Sequence, residues 1–464
     1  MMLAVYLLLA AVAVWAFWKR QFVVFLLCYL AIVSQLFMLD GTTEHQRCSD
    51  VCILINLALI PFVQVQSGRL RITRTMPDGS QFSRSSVLGY SPRLDPFALY
   101  VFVFLLFYLG EFVATVTSGA DSLSYAFKVV RISLMMTGYF AFRAIPFKAY
   151  ERFFEIGLYI TLLQGLLYLL QFVGIHILTG YDKEKVASEG FNFALNIPNL
   201  TYFYLFYVLK ARKYGKWRYV IFLFLFVLVL LTFVRAILIA LLVALLIFFS
   251  REGSRRTVIT GLVMVVLMLP FVMGVFRTKS SVRSTSTVED ITQVATDIEN
   301  IDLYSFNSGT LTFRIAMLAE RIQYLSDYPQ YAAFGVGAIH EDSPACANRF
   351  DFLLGTENLE KVGQRCQIDS GDIAWVPVVL RYGWVGTALH LLLFIMVFIV
   401  AWRARSTARI VVPIFILYFI NTFDSVFFEA GFPLFFTSLM MAWVFRSKRE
   451  ELPEKTENER ERTI

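Results

Sequence analysis

The chain has 464 residues, 58% of them apolar and 17% charged, with 46 phenylalanines and a formal charge of +7. Its mean hydropathy is +0.63. Soluble domains average about 45–50% apolar and about 25% charged residues, so this composition excludes an ordinary soluble enzyme and reads as an all-α polytopic membrane protein. Five cysteines without a CxxC spacing exclude a zinc ribbon or a thioredoxin-type centre.

Apolar runs fall at 2–18, 22–39, 51–66, 96–117, 126–145, 153–178 and 197–209. Two further spans occupy 219–250, and another occupies 257–276. The run 219–250 is too long for a single crossing of a ~30 Å core at ~1.5 Å per residue, so two short helices with Arg235 at their turn are expected. Three more runs follow at 380–402, 410–423 and 430–446. The expectation is thus about 13 transmembrane helices, within a range of 12–14. A secretory signal is not expected, because the first run ends in Trp15 to Arg20 without a small-residue cleavage site.

Between the tenth run and the last three lies a polar stretch, 277–371. A connection this long is functional or disordered rather than a linker. Phe313 to Leu325 places apolar residues at helical spacing, so part of the stretch is expected to fold. The organisation is therefore 1–276 as an N-terminal bundle of about ten spans, 277–371 as a large outer loop, 372–446 as about three C-terminal spans, and 447–464 as a tail. That tail mixes charges and lacks aromatics, so disorder is expected.

Orientation follows from lysine and arginine counts in the short loops. One set of alternate loops carries 21 and the other 3. The rich side is cytoplasmic by the positive-inside rule. The polar stretch and Arg235 then lie together on the outer face.

Several functions lack support in the sequence. No internal repeat marks a transporter with inverted halves. A phosphate-binding glycine loop is absent, and Gly335-Val336-Gly337 lacks the strand-turn-helix context of a dinucleotide site. Few ionisable residues sit deep in spans, which argues against a proton relay. His176 and His390 are expected to be packed or interfacial.

What remains is a group of outer-face charges. Arg235 ends a span, where a cation is costly unless it meets an anion or a water-filled cavity. Arg314 and Arg321 lie seven residues apart and can share a helix face. Asp369 and Asp372 precede a span. Arginines gathered at a membrane surface suit an amphipathic anion such as a lipid diphosphate, whose oxygens match guanidinium forks.

Three stretches carry a family resemblance. In GFNFALNIPNL, residues 190–200, Pro198 and Asn199 stand before a span. In LTFVRAILIALL, residues 231–242, Arg235 follows Leu-Thr, with Val234 where serine is usual. In SGTLTFRIAMLAERIQYLSDYPQYAAFGVG, residues 308–337, Arg314 precedes Pro329 by fifteen positions, and Gly335 and Gly337 follow; Leu318 stands where tryptophan is common. The third stretch closes with DSGDIAWVPVVLRYGWVG, residues 369–386, ending in Gly383 and Gly386. In this order the motifs resemble those of the bacterial O-antigen polymerase and ligase superfamily, among the type C membrane glycosyltransferases. The His-Asn pair of the ligases is absent near Asp372, and Asp-Ser-Gly is more like the polymerases.

The resemblance implies a type C glycosyltransferase architecture in a bacterial inner membrane. It also implies a metal-independent polymerase acting on a polyprenyl-diphosphate-linked oligosaccharide at the periplasmic face. Arg235 and Arg314 would stabilise the leaving diphosphate, and Asp369 or Asp372 would be the base, with His340 as second choice. Arg321, Asn199, His340 and Arg381 complete the expected substrate set. No cofactor, metal or nucleic acid is expected. The expected partners are the lipid-linked glycan, membrane lipid, a chain-length regulator and a flippase. Two alternatives stay open: a ligase that moves polymer to a lipid acceptor, and a transporter.

Cys346 and Cys366 both lie in the outer loop, where a disulfide closing about 20 residues would add roughly 3 kcal/mol. Cys48 is a competing partner, and two free thiols are the remaining alternative.

Overall fold

The computed structural model describes residues 2–34, 45–67, 72–75, 81–84, 95–170, 198–231, 235–251, 311–350, 352, 368, 373–404, 408–423, 427–428 and 430–461. Apart from one hairpin the described chain is helical. The first half comprises α1 (Met2–Trp18), α2 (Phe22–Val33), α3 (His45–Ser67), α4 (Pro96–Thr117), α5 (Leu123–Val130), α6 (Gly138–Phe142) and α7 (Phe147–Leu169). The hairpin pairs β1 (Ile72–Thr75) with β2 (Gln81–Arg84), with Ile72 opposite Arg84. The second half comprises α8 (Thr201–Lys210), α9 (Trp217–Leu230), α10 (Arg235–Arg251), α11 (Leu311–Asp327), α12 (Pro344–Arg349), α13 (Trp375–Trp402), α14 (Val411–Asn421) and α15 (Gly431–Glu461).

Helices α4, α7 and α13 are long and apolar enough to cross a membrane. Each is apolar on its outer face as well as its inner one, as expected of a membrane helix. Helix α4 buries Phe97, Tyr100, Phe104 and Tyr108 while exposing Phe102, Leu106, Leu109 and Val113. Six further apolar stretches are shorter, between 10 and 17 residues. The described residues therefore fit a helical membrane protein with three clear spans, fewer than the thirteen expected. One reason is that an apolar run can overstate its helix: in the run that ends at 209, Pro198, Asn199 and Leu200 are not helical and the helix begins at Thr201. The run 257–276 lies outside the described residues. The run 219–250 is indeed two helices, α9 and α10, and Arg235 opens the second.

The tail corrects another expectation. Helix α15 continues through it to Glu461. Glutamate, lysine and arginine are good helix formers, so a charged continuation of an existing helix need not unravel.

One end of the bundle is tied by charge. Asp95 caps α4 by accepting from the Ala98 amide at 3.0 Å. It also accepts from the Tyr139 hydroxyl at 2.7 Å and pairs with Arg143 at 2.8 Å. Arg446 donates to the Arg143 carbonyl at 2.6 Å. The polar stretch sits at the other end of α4, roughly 33 Å away at ~1.5 Å per residue. There Thr115 accepts from the Ala338 amide at 2.8 Å, and Asp121 accepts from the His340 amide at 3.0 Å.

The polar stretch carries its own small core. Val336, Ile339, Cys346, Phe350, Phe352 and Ile368 are buried together on Leu380, the first part of α13. Its backbone also repairs a break in that helix. Gly383 has φ 57° and interrupts α13. The amides of Val336 and Gly337 donate to the carbonyls of Leu380 and Arg381, both at 3.0 Å. In return Trp384 and Val385 donate to Ala332 and Ala333, both at 2.9 Å. Non-helical backbone at this depth is tolerated only when its polar groups are satisfied within the protein.

Candidate functional site

A cavity of about 350 Å³ opens at the end of the bundle that carries the polar stretch. Its wall includes Ser49, Tyr108, Lys128, Arg131, Asn199, His340, Arg381 and Tyr382. Among the described residues, three fixed cations and no carboxylate line it.

Each cation has a local reason to be there. Lys128 and Arg131 are three residues apart where α5 tightens into the 3₁₀ turn Arg131–Thr137, so they share a face. Lys128 stands over the Tyr125 ring at 4.6 Å, and Arg131 is steered by Asp50 at 3.1 Å. Arg381 sits two residues before the break in α13 and is only 4% exposed. Its Nε donates to the Ile339 carbonyl at 2.9 Å, which locks it to the polar stretch.

His340 meets the cavity from the other side, with its ring 5.6 Å from that of Tyr125. The Asp342 amide donates to His340 Nδ1 at 3.1 Å. Nδ1 is then the acceptor nitrogen, so the neutral ring carries its proton on Nε2 and offers a donor to a ligand oxygen. That tautomer suits phosphate binding better than proton abstraction. Asn199 is exposed in the turn before α8, where the Thr201 amide closes onto the Pro198 carbonyl at 2.9 Å.

Three of the residues picked from the sequence, Asn199, His340 and Arg381, therefore come together in one cavity. Arg321 does not line it. It is fully buried in the core of the polar stretch, with its guanidinium 4.3 Å from the Phe352 ring centroid and 2.5 Å from Glu320. Burial lowers its pKa to about 10 against the opposing pull of Glu320 and Glu341, so it is a cation at neutral pH and acts as an internal brace. Arg321 turns inward under Phe352, and Arg314, half-buried, is not among the residues of this cavity wall. The side chain of Arg235 and all of Asp369, Asp372 and Cys366 lie outside the described residues. Cys346 is disulfide-bonded, whereas Cys28, Cys48 and Cys52 carry thiols. His390 is packed as expected. Its Nδ1 donates to the Gly386 carbonyl at 2.7 Å, and its Nε2 accepts from the Tyr108 hydroxyl at 2.9 Å. His176 lies outside the described residues.

Lys128 and Arg131 went unread because they fall inside the apolar run 126–145, away from the loop charges. The signal was present nonetheless: two cations at i,i+3 inside an otherwise apolar run call for a polar surface or an anion to face them. Compared with models of protein families and with curated proteins, the chain matches none.

Proposed function

We propose that this protein is a polysaccharide polymerase of a bacterial inner membrane. It joins polyprenyl-diphosphate-linked oligosaccharide units on the periplasmic side. The proposal includes a type C glycosyltransferase architecture of about thirteen spans, with the polar stretch outside and the tail inside. One observation carries it: Lys128, Arg131 and Arg381 converge with His340 and Asn199 on a cavity with no carboxylate among its described lining residues, at the end of α4 opposite Arg143 and Arg446. An anionic headgroup fits that lining, and the apolar outer faces of the neighbouring helices suit its lipid tail.

In the reaction an acceptor hydroxyl oxygen bonds to the anomeric carbon of the donor glycan. The bond from that carbon to the diphosphate oxygen breaks, and the lipid diphosphate leaves with the electron pair. The leaving group gains a negative charge, which the cavity cations stabilise, with Arg235 and Arg314 added on the strength of the motifs. Fixed cations aimed at developing charge are worth about 3–4 kcal/mol each. The hydroxyl proton passes to Asp369 or Asp372.

The test is the glycan pattern of a strain lacking the protein. A polymerase loss leaves single repeat units on the final acceptor. Long chains retained on the carrier lipid would point to a ligase, and an unchanged pattern would sink both readings.

A further inference from the structure

On the other side of the strip formed by residues 335–340 lies a second cavity, of about 680 Å³. Phe107, Gly110 and Glu111 of α4 form one wall, and Tyr331, Phe334 and Arg349 of the polar stretch form the other. Glu111 is only 7% exposed. Its backbone carbonyl accepts from the Thr115 hydroxyl at 2.7 Å, but its carboxylate makes no hydrogen bond or ion pair with any described residue. A buried carboxylate without a partner is expensive unless a ligand or water answers it. Arg349 cannot answer it in place, because its guanidinium lies over the rings of Tyr331 at 4.7 Å and Phe350 at 5.3 Å.

The chemistry of this lining is mixed. It holds one acceptor carboxylate, one donor guanidinium and aromatic faces, including Phe334 at 57% exposed. A purely anionic ligand would leave the Glu111 carboxyl unanswered, and a purely cationic one would be repelled by Arg349. A sugar ring satisfies both, because its hydroxyls donate to a carboxylate and accept from a guanidinium, while its C–H face packs on aromatics. The volume falls within the range of small-molecule sites.

The two cavities share a frame. Phe107 lines this one and Tyr108 the cationic one. Gly337 lines this one, while its amide is bonded to Arg381, which lines the other. We infer that the Glu111 cavity is a saccharide subsite that holds a sugar ring of the glycan beside the diphosphate cavity, with Glu111 accepting its hydroxyls; this rests on the polymerase reading.

The experiment uses the purified full chain in a detergent without a sugar headgroup. Saturation-transfer NMR is recorded with the methyl glycosides of glucose, galactose, N-acetylglucosamine and glucuronic acid, and farnesyl diphosphate binding is measured in parallel. Two variants are compared with the parent. Glu111→Gln keeps the shape and replaces the carboxyl with an amide. Gly110→Leu fills the cavity from α4, where a Cβ meets nothing within 4 Å. The expected result is transfer to at least one glycoside, reduced about fivefold or more by both variants, as loss of a hydrogen bond or of the space predicts. Farnesyl diphosphate binding stays at the parental level in both. If farnesyl diphosphate binds the parent but no glycoside shows transfer, or transfer is not reduced by both variants, the subsite assignment is overturned. If farnesyl diphosphate fails to bind the parent, the polymerase reading fails instead, and the subsite falls with it.

Discussion

Two cations that look alike in the sequence have opposite consequences. Lys128 is solvent-exposed and touches only the Tyr125 ring among its described contacts, so its removal leaves the fold untouched. A lost charge-assisted phosphate contact is worth about 1.5–3 kcal/mol, so Lys128→Ala should weaken farnesyl diphosphate binding roughly tenfold or more without moving the melting temperature. Arg321→Ala should do the reverse. Breaking a buried pair costs about 3–5 kcal/mol because the partner charge is stranded, here Glu320. The expected outcome is a clear drop in thermal stability, with ligand affinity per folded molecule unchanged. Titration calorimetry and thermal melts on the two variants check both halves. A loss of affinity in Arg321→Ala without loss of stability would return that residue to the binding site.

At the scale of elements, the site depends on a helix that is broken in a controlled place. Gly335, Gly337 and Gly383 all have positive φ, and Gly335 and Gly383 interlock. A Cβ on Gly383 would lie 2.5 Å from the Gly335 amide nitrogen, and one on Gly335 would land on the Arg381 carbonyl. Backbone must therefore approach backbone here, which no other residue permits. In the sequence these glycines stand out only through the family resemblance, and Gly335-Val336-Gly337 lacks the context of a nucleotide site. Gly335→Ala and Gly383→Ala should each unseat the 332–337 strip from α13 and expose Arg381, with loss of folded yield and of farnesyl diphosphate binding. Gly110→Ala, in open space, is the control and should keep both. Limited proteolysis within 328–343 reads the strip directly; protection equal to the parent in Gly335→Ala would refute the interlock.

For the whole molecule, the arrangement of ends predicts sidedness. Asp342, exposed beside the cavity, and Lys148, exposed beyond Arg143, belong to opposite ends of the bundle. In intact cells Asp342→Cys should react with a membrane-impermeant maleimide, and Lys148→Cys should react only after lysis. The reverse pattern would invert the proposed orientation. The disulfide at Cys346 belongs to the same frame. Cys366 is the proposed partner, and a non-reducing peptide map should show the 346–366 pair. Alkylation of Cys366 without prior reduction would remove it.

Hydropathy and charge alone determined that the chain is a helical membrane protein, because spans need long apolar runs and loops on one side collect arginine. Helix formation in α11 was also legible, since its apolar period is local. Which charges meet was not legible. Lys128, Arg131, Asn199, His340 and Arg381 come from four separate segments, and no local rule couples them. Arg314 and Arg321 share a period, but packing under Phe352 decided that Arg321 braces the loop instead of facing a ligand. The purpose of Gly335 and Gly383 likewise emerged only when the two backbones were side by side, because close approach is a property of a pair of segments and leaves no trace in either one.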